Sequence, residues 1–153
     1  MKTQKFKKGI FIIGAMLMLS SCALKSIPSD YNTVKLDIVN TENLGNGKVL
    51  IYNGAGILHS ADNTARLNVW VDGKSLGQIK AREYLIVDLN KGDHEFKILH
   101  IDMVNMRSTH QIDVNENTKV IKLEPTITSN KATVTNILPE NFEKYRYRIE
   151  QSK

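Results

Sequence analysis

Along the body of the chain, apolar and polar positions alternate with the two-residue period of β-strands. Val34-Lys35-Leu36-Asp37-Ile38 alternates strictly, as a half-buried strand does. Residues 48–52 form a short apolar run, and Gly54-Ala55-Gly56 follows as a flexible loop. Arg66-Leu67-Asn68-Val69-Trp70-Val71 then runs into Asp72-Gly73, a pair suited to a two-residue hairpin turn because both residues must take positive φ. Residues 74–79 make the returning strand, and 84–89 form another, closed by the turn Asn90-Lys91-Gly92-Asp93. In 94–101 the even positions are His94, Phe96, Ile98 and His100; in 107–114 they are Ser108, His110, Ile112 and Val114. Each even set shares a face, and its aromatic and β-branched members assign that face to the core. Residues 119–123 predict a further strand, ended by Pro125, which lacks a backbone donor. Beyond it, 131–137 reads as a strand and 139–149 as a short helix or a final extension. About seven short strands with regular turns and no long amphipathic helix predict an all-β, antiparallel β-sandwich over residues 34–153.

The amino-terminal residues follow a different pattern. Lys2, Lys5, Lys7 and Lys8 come without an acidic residue, and the apolar stretch Ile10-Phe11-Ile12-Ile13-Gly14-Ala15-Met16-Leu17-Met18-Leu19 follows. At about 1.5 Å per residue a helix of that length covers roughly 15 Å. A bilayer core is roughly 30 Å thick and needs about 20 apolar residues, so the segment is too short to span. It also lacks the polar face of a surface helix. A positive start, a short apolar centre and small residues are the three parts of a secretory signal, here residues 1–21, expected to be a cleaved helix.

Leu19-Ser20-Ser21-Cys22 resembles the bacterial lipobox, in which a branched apolar residue and two small residues precede a cysteine. That resemblance implies that Leu19, Ser20 and Ser21 are read by the lipoprotein signal peptidase, which cuts before Cys22. It also implies a diacylglyceryl group on the Cys22 thiol and a further acyl chain, such as palmitate, on the new amino terminus. Cys22 is the single cysteine of the chain, so no disulfide within the chain can occupy it. A bare thiol in an oxidising compartment would be a liability, and lipid removes it. Each buried CH₂ contributes about 0.8 kcal/mol, so two or three acyl chains hold far more firmly than one. Ala23 stands where an aspartate would favour inner-membrane retention, so the resemblance implies the outer membrane, periplasmic side. Residues 22–33, with Ser26, Pro28, Ser29 and Asp30, then read as the lipidated cysteine and a short tether.

The net charge of +5 invites a nucleic-acid partner. Residues 1–21, however, hold four of the 21 basic residues and none of the 16 acids, which leaves 17 against 16 in the remainder. The remaining lysines are scattered, whereas a nucleic-acid binder keeps a concentrated basic face. No nucleic-acid partner is expected.

The hairpin Val69-Trp70-Val71-Asp72-Gly73-Lys74-Ser75-Leu76-Gly77, the strand opening at Tyr84 and the turn Leu89-Asn90-Lys91-Gly92-Asp93-His94 together resemble PEGA-like and Ig-like β-sandwich modules. They are closer still to short bacterial lipoproteins whose domain has no assigned function. Val49-Leu50-Ile51-Tyr52 takes the place of that family's first strand. Asn53 departs from a frequent arginine and Lys91 from a frequent proline. The likeness covers roughly residues 47–124 and implies a fold, with no reaction and no cofactor. A non-enzymatic module for binding or assembly in the envelope is the expectation, with an envelope protein or peptidoglycan as partner.

Candidate chemistry is sparse. There is no Gly-x-Ser-x-Gly nucleophile elbow and no glycine-rich phosphate loop before a helix. His94 and His100 share a strand face about 20 Å apart, too far for one metal. The hairpin reading puts His100 diagonally across from His110, within reach of a shared metal but short of a third ligand. That pair is the alternative to a non-enzymatic reading; the competing view is two imidazoles at the rim of the core. Asp72, Asp88 and Asp93 fit turns, which aspartates favour by bonding their own backbone. Trp70 shares its face with Asn68, so it points outward unless a second layer covers it. Lys144-Tyr145-Arg146-Tyr147-Arg148 suits either an anionic surface or an edge strand.

Overall fold

The computed structural model describes residues 24–56, 65–101 and 104–148. The signal segment, with Leu19, Ser20, Ser21 and Cys22, lies outside them. Nine strands are present among the described residues: β1 (Lys48–Asn53), β2 (Leu67–Val71), β3 (Lys74–Ile79), β4 (Glu83–Asp88), β5 (Gly92–Ile101), β6 (Asn105–Val114), β7 (Val120–Pro125), β8 (Asn130–Val134) and β9 (Arg146–Tyr147). They form a five-stranded sheet, order β8-β7-β1-β4-β9, and a four-stranded sheet, order β3-β2-β5-β6. The all-β sandwich expected from the alternation is therefore the architecture, with two more strands than anticipated.

Parity explains the core. Val49 and Ile51 of β1, Leu85 and Val87 of β4, and Ile121 and Leu123 of β7 point inward from the larger sheet. They meet Leu67, Val69, Val71, Leu76 and Ile79 of the β2–β3 hairpin, and Phe96, Ile98, Ile112 and Val114 of the β5–β6 hairpin. The even positions of 94–101 are all buried, as the alternation predicts. Along β6 burial fades from Val114 towards Ser108, because the near end of that edge strand is less covered.

The larger sheet has a second apolar face, which the alternation did not reveal. Leu50, Tyr52, Ile86 and Val120 point away from the sandwich interior and are covered by Val34, Leu36, Val39, Leu44, Leu138, Phe142 and Tyr145. Residues 34–38, expected to be a strand, are instead an irregular segment laid over this face. The Val34 N–H donates to the Ile86 carbonyl at 2.8 Å. An extended cover segment and a ladder strand bury alternate side chains in the same way, so their patterns coincide. The larger sheet is also mixed: β1 pairs with β7, and β4 with β9, in parallel. Each of those partners enters the sheet after an excursion elsewhere, so no tight turn fixes an antiparallel return.

Polar contacts close both long edges of the sandwich. At one, Asn130 of β8 accepts from His100 Nδ1 at 2.7 Å and donates to the carbonyls of Ile98 and Met106 at 3.3 and 3.2 Å. At the other, Arg148 donates through Nη1 to the Leu76 carbonyl of β3. The β2–β3 pairing slips by one residue between Val69 and Trp70, with Gly77 at φ +97°. A side chain on Gly77 would strike the Arg148 guanidinium. That bulge is what lets the arginine reach in.

Candidate functional site

The outer face of the smaller sheet carries the unusual residues. Side chains of β2 alternate, so Asn68 and Trp70 point outward while Leu67, Val69 and Val71 fill the core. Across the strands one row reads Gln78, Asn68, Leu99 and Arg107, and the next reads Ser75, Trp70, Lys97 and Thr109. Without the bulge, a two-residue turn at Asp72-Gly73 would set Asn68 opposite Gly77. With it, Asn68 faces Gln78 and the two amides meet, Gln78 Nε2 donating to Asn68 Oδ1 at 3.0 Å.

Asn68 and Gln78 are buried although they lie on an outer face. What covers them is the segment expected to be the short tether. Gln78 Nε2 donates to the Leu24 carbonyl at 3.1 Å, and Asn68 Nδ2 to the Lys25 carbonyl at 2.8 Å. Further along, the Asp30 N–H donates to the Ser75 carbonyl at 2.8 Å, and the Ser75 N–H to the Asp30 carboxylate at 3.1 Å. The Ser75 hydroxyl donates to the Pro28 carbonyl, and the Tyr31 hydroxyl to the Val71 carbonyl at 3.1 Å. Residues 24–31 are thus a strap running antiparallel to β3. The strap blunts a sheet edge that would otherwise offer free backbone groups.

The β5–β6 half of the face is left open. A shallow depression of about 530 Å³ there is lined by Trp70, Lys97, Leu99, Arg107 and Thr109 together with Gly73. Trp70 lines it and is half-buried, on the outward side of β2 that parity assigns. Charge is graded along the face: Lys97 and Arg107 lie in the rows near Leu24, while Glu95, Asp93 and Asp113 lie in the rows beyond. Lys97 also pairs with Glu95 at 2.8 Å, both partly exposed.

The histidines are held apart. The β5–β6 register sets His100 opposite Met106 and His110 opposite Phe96. Four ladder steps, about 13 Å, separate the two imidazoles, so the diagonal pairing of His100 with His110 at one metal is corrected. The ladder extends to Ile101 opposite Asn105, a shorter connection than 102–106, which shifts the register from the one assumed. His110 Nε2 lies 3.0 Å from the Ser108 hydroxyl. Among the described residues no group of three or more His, Cys, Asp or Glu side chains could hold a metal ion.

His94 sits at the far end, between two turns. Its Nδ1 is 2.6 Å from the Asp72 carboxylate and its Nε2 is 2.7 Å from the Asn90 carbonyl. Two acceptors require two N–H donors, which is the imidazolium form. Burial works against that charge, but the Asn90 carbonyl and the Asp72 carboxylate outweigh it and raise the His94 pKa. Burial likewise opposes ionised Asp72, yet the Glu95 N–H at 2.9 Å and His94 hold its pKa below the usual carboxylate value. Asp72 and Gly73 both take positive φ, as the turn reading predicts. Asp72 thereby serves its hairpin and clamps the next one.

The other expected features fall into place around this frame. Gly54-Ala55-Gly56 is irregular. Over the described part of 139–149 the chain makes a single 3₁₀ turn at Phe142–Lys144 and then the two-residue edge strand β9, closer to the final extension than to the short helix. The tail's aromatics pack inward: Tyr145 meets Tyr52 edge-on at 5.5 Å and Tyr147 meets Tyr84 at 5.7 Å. The sequence reading missed Asn53, Asn68, Gln78, Asn130 and Arg148 as buried polar groups. Amides at strand positions, where their propensity is poor, were the available signal.

No protein-family model, curated protein or solved structure matches the chain.

Proposed function

We propose that the protein is a lipid-anchored lipoprotein of the bacterial cell envelope, held by acyl chains on Cys22 at the outer membrane and facing the periplasm. Its sandwich is a non-enzymatic module for binding or assembly, in keeping with the PEGA-like turn order of residues 69–94. The observation that carries this reading is the Leu19-Ser20-Ser21-Cys22 sequence directly after a signal-like apolar core, holding the single cysteine. Supporting it, His94 and His100 are engaged in bonds between turns and between sheets, where an imidazole serves the fold.

Mass spectrometry of the protein from its native host tests the anchor. The expected amino-terminal peptide begins at Cys22 and carries the mass of a diacylglyceryl group plus an acyl chain. A Cys22→Ala variant should leave the membrane fraction. An unmodified Cys22 in an otherwise intact amino-terminal region would overturn the location and the role together. Co-purification from detergent-solubilised membranes tests the module, and reproducible recovery of the bait alone would refute a protein partner.

A further inference from the structure

Resting on the proposed lipid anchor, we infer that the open half of the outer face of the smaller sheet, from Trp70 to the β5–β6 tip at Val104, is a membrane-contacting surface that lies against anionic phospholipid. The strap makes this a geometric consequence. Leu24 is bonded to Gln78, and two residues of chain reach at most about 7 Å, so lipid on Cys22 enters the bilayer beside this face. The row holding Gln78 and Asn68 continues into Leu99 and Arg107, and the next positions along β5 and β6 lead to the hairpin tip.

The chemistry at that end suits a bilayer interface. Val104 at the β5–β6 tip is 60% exposed, and Ile127 in the neighbouring β7–β8 turn is 75% exposed. The Asn130 bonds to Ile98 and Met106 hold those two turns at the same end. Trp70 is an aromatic of the kind enriched at headgroup level, flanked by Lys97 and Arg107, whose long stems can lie on apolar surface with the charge in the headgroups. Each cation near an anionic membrane surface is worth about 1 kcal/mol, and the effect fades within a Debye length. Glu95, Asp93 and Asp113 occupy the rows farthest from Leu24, Glu95 paired with Lys97, where repulsion from the surface is weakest. Ile38, Val134 and Ile137, also exposed, belong to the larger sheet or to the segments around it and would stay in water.

Trp70 is the single tryptophan, so its emission reports this face directly. The natively processed full-length protein is reconstituted into phosphatidylcholine vesicles with and without phosphatidylglycerol, a set of them carrying brominated acyl chains. Two further proteins carry Trp70→Phe with either Val104→Trp or Ile137→Trp, which moves the same reporter to the near tip or the far end. Flotation reads the anchor, and bromolipid quenching reads the orientation. Expected are flotation of all three, quenching at 70 and at 104 several-fold greater than at 137, and weaker quenching after Arg107→Glu on the anionic vesicles alone. Equal quenching at 104 and 137, or none at either in protein that still floats, overturns the orientation and leaves the anchor standing. Failure of the processed protein to float removes both.

Discussion

Asn53→Leu keeps the size of a fully buried side chain while deleting its three hydrogen bonds. Asn53 Nδ2 donates to the carbonyls of Ala65 at 2.6 Å and Ile79 at 3.0 Å, and its Oδ1 accepts from the Ala55 N–H at 3.0 Å. One amide therefore joins the end of β1 to the start of β2, the end of β3 and the following loop. A buried polar group that loses its partner costs about 1–3 kcal/mol. The Ala55 N–H lies in a half-exposed loop that water can reach, so it falls at the low end; the two carbonyls lie deeper. The expected loss is about 4 kcal/mol, a large part of the roughly 5–15 kcal/mol that holds a domain of this kind together. Urea unfolding followed by Trp70 emission should show a lower midpoint with an unchanged m-value. At roughly 4 °C per kcal/mol, the thermal midpoint should drop by about 15 °C. Asn53→Asp should be worse at neutral pH, because it turns a carboxylate on two carbonyl oxygens. It should recover part of the loss in acid, where a protonated carboxyl regains one donor. A leucine variant within about 1 kcal/mol of the parent would refute the view that these bonds are made in a dry environment.

The His94–Asp72 clamp makes stability depend on pH. The raised His94 pKa means its contribution is complete below the ordinary value of 6.5 and is lost as pH climbs through the folded value; the lowered Asp72 pKa means its share is present above 3.8 and is lost as pH falls through the folded value. Urea midpoints should therefore be highest between these limits and decline above neutrality, and Asp72→Asn should flatten the alkaline decline. Gly77→Ala should cost about 2 kcal/mol or more, since alanine is strained at positive φ and the new Cβ displaces the Arg148 guanidinium from the Leu76 carbonyl. Arg148→Ala in that background should add little, because the contact is already broken; full additivity of the two would argue against a shared cause. Asn68→Ala with Gln78→Ala should leave the sandwich folded, at a cost of about 1–3 kcal/mol, and open residues 24–31 to protease. Unchanged protection of that segment would show that other contacts hold the strap.

Strand positions were legible where neighbouring residues agreed. Asp72-Gly73 between two alternating runs, 67–71 and 74–79, defined a hairpin, and the even positions of 94–101 named their own buried face. What stayed hidden depended on contacts between distant segments. Nothing local to Val34-Lys35-Leu36-Asp37-Ile38 says whether its alternation serves a ladder or a cover, because the partner, the Leu50-Tyr52-Ile86-Val120 face, comes from three other strands. The parallel entry of β7 beside β1 is similarly non-local. The site was masked by a single residue. Counting outward from the Asp72-Gly73 turn pairs Asn68 with Gly77, and only the bulge beside Trp70 brings Gln78 across. Had that slip been recognised from the glycine at 77, two facing amides on an outer face would have demanded a partner for their N–H groups. The segment just before the domain was the nearest supplier.

Whether residues 23–33 are slack or docked decides what a lipid anchor does to the domain. As a flexible coil, eleven residues would have a root-mean-square span of about 18 Å, and the sandwich could turn any face to the bilayer. The bonds from Gln78 and Asn68 to the Leu24 and Lys25 carbonyls remove that freedom and leave two residues, about 7 Å, between the fold and the proposed acylated sulfur. That length is comparable to the Debye length of about 8 Å at physiological ionic strength, so the Gln78 end of the face is held within reach of headgroup charge; Lys97 and Arg107, two and three strand spacings of about 4.8 Å farther along, come within reach only where the face itself lies against the bilayer. Anchor and orientation are then coupled through two amides. Lengthening the chain between Cys22 and Leu24 with a flexible Gly-Ser insert should preserve flotation while lowering the quenching of Trp70. Quenching that survives a long insert would mean that the face binds lipid by its own affinity, with the strap merely lying beside it.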